Sequence, residues 1–314
     1  MDNKFSFMSL FITRKCNLAC SYCNLPDPNL YTMDGDEWIK VIDKVAPHTQ
    51  FFNLIGGEPT MHPDLDIIVE HLNGIDAAYS MVTNSTQSYS YYQYLLIHRR
   101  LQSLGVSIDT MDPYGNDSVM RKSKAGIGLI KYIRRETTYN GNLIISAVAK
   151  NLVEFKSLVK FAKEHQCQIA LALQQSSDDE NMLNSNNPDN KLPNESGVTA
   201  LLKYIIFYYY QLPLLDPSEY FVAMLDRLMR KKGLWHCTKG LTPAIDSNGD
   251  LWNCFDYKGG NPINVLDDRF PDETTFEKMN MIVKHGVKAC PGCQWNCPYV
   301  SELVADGIVK MDFS

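Results

Sequence analysis

No run in this 314-residue chain is long and apolar enough to read as a membrane span. The most apolar run outside the expected strands, Leu201 to Leu212, is too short and too rich in tyrosine. A secretory leader is also missing. Met1-Asp2-Asn3-Lys4 runs straight into a strand-like segment, with no cationic start, apolar core and small-residue cleavage site, which predicts a cytoplasmic protein. Positive charge is short: 30 Lys and Arg against 36 Asp and Glu leave a formal net charge of −6. That balance argues against a broad electrostatic grip on nucleic acid and leaves only a local basic patch open. No internal repeat is visible. The length suits one large α/β domain with a smaller one appended, able to bury a core without disulfide staples.

Cysteine is what the chain has in a telling pattern. In a reducing compartment its nine cysteines are not expected to form a disulfide framework, and clustered ones more often bind metal. Cys16, Cys20 and Cys23 form one group; Cys237, Cys254, Cys290, Cys293 and Cys297 form a second. Cys167 stands alone and reads as a buried, inert thiol.

From residue 6 to about 175, short apolar runs alternate with amphipathic stretches, the pattern of βα units. Strands are expected at Phe7–Thr13, Phe51–Ile55, Ala78–Thr83, Val106–Asp109, Leu143–Ala149 and Gln168–Leu173. Most are near-continuously apolar, as for parallel strands covered on both faces. Between them, Trp38, Val41, Ile42 and Val45 keep helical spacing up to Pro47, and Leu65, Ile68, Val69 and Leu72 do so behind an Asp64 cap. Asn151 with Glu154 resembles a capping box. Six such repeats predict a partial (β/α)6 TIM-like barrel over residues 1–175. A polar linker over 176–197 and connecting helices over 198–232 follow, with a small hairpin-and-helix unit over 233–314. In the last, Ser247-Asn248-Gly249-Asp250 between apolar runs is a hairpin signal.

The first cysteine group comes immediately after the first strand, at the mouth where parallel barrels do their chemistry. Three thiolates at this spacing can hold three corners of a cubane [4Fe–4S] cluster. With no fourth ligand close by, one iron is left for a non-protein ligand. Structural zinc is the competing reading, but it normally takes four protein ligands. Gly56-Gly57-Glu58-Pro59 ends the second strand, where glycines would admit a close ligand and the carboxylate could order an ammonium. By itself this is a glycine-rich turn.

Thr13-Arg14-Lys15-Cys16-Asn17-Leu18-Ala19-Cys20-Ser21-Tyr22-Cys23 resembles the CxxxCxxC motif of the radical S-adenosylmethionine (SAM) superfamily. The resemblance implies a SAM-binding [4Fe–4S] cluster on Cys16, Cys20 and Cys23, with Tyr22 beside the adenine. It also implies a GGEP-like contact from Gly56, Gly57, Glu58 and Pro59 to the SAM amino group. Asn84, Ser107, Asp109 and Arg121 fall where relatives contact the ribose or the methionine carboxylate.

Cys237-x11-Gly249-x4-Cys254, followed by Cys290-Pro-Gly-Cys293-Gln-Trp-Asn-Cys297, resembles the SPASM/Twitch extension of the same superfamily. A full SPASM domain has seven cysteines; five here imply one auxiliary [4Fe–4S] cluster, on Cys237, Cys254 and two of Cys290, Cys293 and Cys297. A structural zinc ribbon is the competing reading.

Together these resemblances imply an oxidoreductase or isomerase. It would cleave SAM to a 5′-deoxyadenosyl radical, with electrons from a flavodoxin- or ferredoxin-type donor. Its substrate is expected to be a small metabolite or amino-acid-like group, because no peptide-recognition segment precedes the first strand. The alternatives are a ribosomal-peptide maturase or epimerase, a nucleic-acid substrate, or a non-enzymatic iron–sulfur carrier or zinc module. Cys167 and Tyr299 are conceivable hydrogen donors, but nothing in the sequence selects either.

Overall fold

The computed structural model describes residues 5–98, 101–111, 118–149, 151–173, 195–230, 235–259, 262–267, 276–290, 293 and 296–308. The expected linker over 176–197 lies almost wholly outside the described residues.

Six parallel strands make up most of the sheet: β1 (Met8–Thr13), β2 (Phe52–Gly56), β3 (Tyr79–Thr83), β4 (Ser103–Ser107), β5 (Asn142–Ala149) and β6 (Gln168–Leu173). Helices α1 (Gly35–Val45), α2 (Leu65–Gly74), α3 (Tyr89–His98), α4 (Ser118–Glu136) and α5 (Leu152–Glu164) alternate with them. Met8, Leu10 and Ile12 of β1 pack with Trp38, Val41, Ile42 and Val45 of α1 in one continuous core. This is the outer layer of a βα barrel. Strand order is β6-β5-β4-β3-β2-β1-β7-β8-β9, so the sheet stays open, with β6 and β9 at its edges.

Two expectations need correcting. Apart from β1, which is buried at every position, the strands are not sealed on both faces along their length. From Leu143 to Val148 buried and half-buried residues alternate, and β2 does the same from Phe52 to Gly56. On β2, β5 and β6 only the helix-facing residues are fully sealed, and Asn53, Ser146 and Ala170, with Ser107 of β4, line an inner face that stays accessible; β1 is buried on both faces. The fourth strand also begins earlier, at Ser103, and ends at Ser107. Ser103 and Gly105 read as turn residues, yet each pairs with β3 and β5, and pairing overrides their low strand propensity.

Helix entries show a similar exchange of roles. Asp34 caps α1 in a capping box with Glu37. Asp64 does not cap α2; its Oδ2 accepts the Gly35 N–H at 3.0 Å and ties the starts of α1 and α2 together. Asn151 does cap α5, accepting the Glu154 N–H at 2.9 Å.

Beyond β6 come α6 (Glu195–Tyr208) and α7 (Ser218–Met229). Between them Pro213 and Leu215 hydrogen-bond to both sides of Ile169, covering part of the β6 edge. The expected hairpin follows as β7 (Ala244–Ile245) and β8 (Asp250–Trp252), with β9 (Ile263–Asn264) beside it. Gly249 turns it at φ +90, where a Cβ would meet Asn264 Oδ1 at 2.8 Å. The hairpin does not stand apart: β7 pairs in parallel with β1 through Ser9–Ala244 and Leu10–Ile245. Helices α8 (Phe276–Ala289) and α9 (Asn296–Ala305) complete the chain. Among the described residues no helix is long and apolar enough to cross a membrane.

Candidate active site

The loop after β1 is built onto the ends of its neighbours. Gly57 N–H donates to Thr13 O at 2.9 Å and Glu58 N–H to Lys15 O at 2.8 Å, so β2 continues as a ledge under the cysteine loop. A Cβ on Gly56 would lie 2.1 Å from Thr13 O, and one on Gly57 would lie 2.3 Å from Lys15 O. These glycines therefore admit the loop's own backbone, rather than only a ligand. Cys23 N–H closes a turn onto Cys20 O at 3.0 Å, and Asn84 Nδ2 reaches Cys16 Sγ at 3.7 Å.

Glu58 is buried under this ledge. Its Oε1 accepts from Thr60 N, Thr60 Oγ1 and Thr83 Oγ1 at 2.7–3.2 Å, and its Oε2 accepts from Asn84 N at 2.6 Å. Burial nonetheless raises its pKa. Pro59 begins the one-turn helix behind it. Asn84 also donates to Asn17 Oδ1 at 3.0 Å, fixing the opening of the cysteine motif to the end of β3.

On the other side, Asp109 Oδ2 accepts from Tyr22 Oη at 2.5 Å and from Lys122 Nζ at 2.7 Å, while Oδ1 accepts Val148 N–H at 3.0 Å. Lys122 also donates to Tyr22 Oη. Burial and the Asp109 charge push the Tyr22 phenol well above its ordinary range. Lys122 is buried, which alone would lower its pKa, but Asp109 and the Cys20 thiol more than offset this and raise it. Arg121 is exposed at the start of α4, and Ser107 is half-buried at the end of β4.

Lys122 was not among the residues expected at the site. Its signal was readable: Lys122, Gly126, Leu129, Ile130 and Ile133 follow helical spacing on the buried face of α4, and Arg121 is one step off that face.

All three loop thiols are pushed up by burial, Cys20 to about 11. They also act on one another, and Lys122 and Arg14 act on them favourably. Metal coordination is what deprotonates such thiols outright. As a donor set, three free, half-buried thiols on one loop beside a cation fit three corners of a [4Fe–4S] cluster.

In the second group, Cys237 is pushed up by burial and by Cys254 and Cys290, and Cys254 rises to about 12. Cys254, Cys290 and Cys293 pack around Tyr257. Cys293 is held against Trp235 by a pair of backbone hydrogen bonds of 2.9 and 3.1 Å. The structure thus gathers Cys237, Cys254, Cys290 and Cys293; the Cys297 side chain lies outside the described residues. Among those described, no three His, Cys, Asp or Glu side chains converge to grip a single ion. Cys167 is buried behind β6, as expected for an inert thiol.

A buried charge network lies between the groups. Arg14 Nε and Nη2 make a bidentate pair with Asp246 at 2.7 and 2.6 Å, across 232 residues of sequence. Lys258 Nζ lies 3.5 Å from Asp246 Oδ2.

Residues 10–145 match the family model described as the Radical SAM superfamily. That stretch, from β1 into β5, is a radical SAM domain. The match to that family implies a [4Fe–4S] cluster and SAM. A GTP 3′,8-cyclase of Tolumonas auensis is 34% identical over 123 residues, 36% of this chain and 35% of that protein. An S-adenosylmethionine-dependent nucleotide dehydratase of Selenomonas ruminantium is 30% identical over 117 residues, 34% of this chain and 40% of that protein. The matches thus span well under half of these relatives. Among solved structures, Streptococcus suis SuiB bound to precursor peptide SuiA superposes with a TM-score of 0.66. The identity is 16%, covering 96% of this chain and 73% of that one. The anSMEcpe structure with AdoMet and a Cp18Cys peptide gives 0.55 at 16% identity, over 90% and 83% of the chains. At these identities the likeness is one of fold: an open parallel sheet of the radical SAM type.

Proposed function

We propose that this protein is a radical SAM enzyme whose SAM-binding [4Fe–4S] cluster is held by Cys16, Cys20 and Cys23. Held by these three thiolates, the cluster would supply one-electron reduction of SAM, with the electron drawn from an external flavodoxin- or ferredoxin-type donor, to give methionine and a 5′-deoxyadenosyl radical able to take hydrogen from substrate. The chain's own contribution is placement. Glu58 Oε2 accepts one hydrogen bond among the described residues, and its remaining lone pair suits the SAM ammonium. Tyr22, Asn84, Ser107 and Asp109 border the nucleotide along the strand ends. Lys122, rather than Arg121, is the cation for the methionine carboxylate, being the one turned inward. Gly56 and Gly57 keep the cysteine loop on its ledge, and Pro59 begins the turn behind Glu58.

A second [4Fe–4S] cluster on Cys237, Cys254, Cys290 and Cys293 fits the unit over 233–314, and the packing of three of these thiols around Tyr257 supports that set. The inner face towards β4, β5 and β6, with small side chains at Ser107, Ser146 and Ala170, suits oxidation or rearrangement of a small metabolite or amino-acid-like group. The likeness to SuiB favours a peptide as the second reading.

One observation carries the reading: three thiols of one short loop lie beside a buried carboxylate at the C-terminal mouth of the sheet. Anaerobically reconstituted protein with SAM and dithionite should form 5′-deoxyadenosine. Protein with full iron and sulfide that forms none would refute the proposal.

A further inference from the structure

The inner face of the sheet carries a charge that the proposed reaction has not used. On β1, Met8, Leu10 and Ile12 join the helix-side core, so Ser9, Phe11 and Thr13 face inward. On β8, Leu251 joins the same core and Trp252 faces the other way. Lys258 Nζ lies over both inward rings, 4.8 Å from the Phe11 centroid and 5.3 Å from that of Trp252. It is therefore on the inner face, on the same side as the cysteine loop's anchor.

Its charge is only partly matched there, by an ion pair that it shares with Arg14. Asp246 Oδ2 already accepts Arg14 Nη2 at 2.6 Å, and Lys258 stands 3.5 Å from that oxygen, beyond a good hydrogen bond. Two cations share one carboxylate, and the group of three carries a net positive charge. The Lys258 Nζ and Trp252 Nε1 atoms are both buried and have no hydrogen-bond partner among the described residues. Buried ammonium groups are ordinarily paired and hydrogen-bonded, because the desolvation cost is otherwise uncompensated. The groups acting on Lys258 are Asp246, Arg14 and, from the second cysteine group, Cys254. Two buried donors without hydrogen-bond partners, on neighbouring side chains of one inner face, are groups that an anionic acceptor would satisfy.

We infer that Lys258 and Trp252 form a substrate subsite for an oxyanion, a carboxylate or a phosphate, on the inner face between the two cysteine groups. The subsite deepens the proposed function, since it rests on the inner face being where substrate lies.

The test is calorimetric titration of the cluster-loaded full chain with malonate and, separately, pyrophosphate. One site per chain is expected for at least one probe, and the tighter of the two identifies the class. Lys258→Met should weaken binding about tenfold to a hundredfold, and Lys258→Arg much less. Unchanged binding in Lys258→Met overturns the subsite, as does no binding of either probe to the wild-type protein. An unchanged affinity with a shifted potential of the second cluster would assign the lysine to that cluster instead. Because the methionine variant risks misfolding, wild-type crystals soaked in selenate give an independent readout. Anomalous density within about 3 Å of Nζ supports the subsite, and density elsewhere only refutes it. Wild-type 5′-deoxyadenosine formation separates the two readings. Anion binding without SAM cleavage sinks the enzyme and spares the subsite; cleavage without anion binding does the reverse.

Discussion

The two cysteine groups reach comparable burial by opposite routes. Cys16, Cys20 and Cys23 sit on one loop, shaped by its own turn and seated on the Gly57–Glu58 ledge. Cys237, Cys254, Cys290 and Cys293 come from the approach to β7, the end of β8, the end of α8 and a bridge to Trp235. A local loop can be preorganised before any ligand arrives, whereas a dispersed set exists only once distant segments have met. In the second case the proposed cluster would make metal binding and folding one equilibrium. In the first, the fold can stand without metal.

That contrast can be broken most forcefully by deleting one thiol from each group. Cys20→Ala should cut 5′-deoxyadenosine formation by at least about 10⁴-fold while leaving the melting temperature nearly unchanged. Cys254→Ala should lower the melting temperature and the iron content together, as read by calorimetry and metal analysis. A Cys20 variant that still cleaved SAM would remove the basis of the comparison.

Next in size is the Arg14–Asp246 pair that joins the two regions. Asp246→Ala leaves a buried guanidinium uncompensated and should cost about 3–5 kcal/mol in denaturant unfolding. The partners also lower the Asp246 pKa, so its stabilisation is complete above the unfolded carboxylate value of about 3.9. It should be lost as pH falls from about 4 through the folded pKa, and Asp246→Ala should flatten that acid limb.

Lys122→Gln should weaken SAM binding about tenfold or somewhat more, the scale of a charge-assisted hydrogen bond. Arg121→Gln, one residue away but exposed, should change it less than about twofold. Equal effects of the two in equilibrium binding would contradict the assignment of Lys122.

Gly57→Ala is the mildest probe of the ledge. The added methyl must move Lys15 O from 2.3 Å, and overpacking of this kind costs about 1–3 kcal/mol. The reconstituted first cluster should become more labile, measured as faster loss of its absorbance in air, with the second cluster unaffected.

Much of this architecture was legible in advance because it is written in short-range pattern. Five of the six parallel strands start and end within a residue or two of where apolar runs placed them. The motif Cys16-x3-Cys20-x2-Cys23 needs only one loop to be meaningful. The errors have a common origin in contacts that no local window contains. Asp64 has a good capping side chain, but Gly35 N–H takes it. Ser103 and Gly105 look like turn residues until β3 and β5 pair with them on both sides. Apolar strands suggested two covered faces, which holds for β1, whereas alternation in burial along β2 and β5 shows that only one face is sealed there.

By itself the amino-acid order determined the βα rhythm, the three-thiol loop after β1 and the Asn-Gly hairpin, since periodicity, spacing and turn chemistry act over a few residues. Only the tertiary structure decided that the hairpin extends the sheet through β1, that Lys122 meets Asp109 and Tyr22, and that Arg14 and Lys258 share Asp246. Those outcomes depend on which distant groups are desolvated together, and desolvation is a property of the assembled fold.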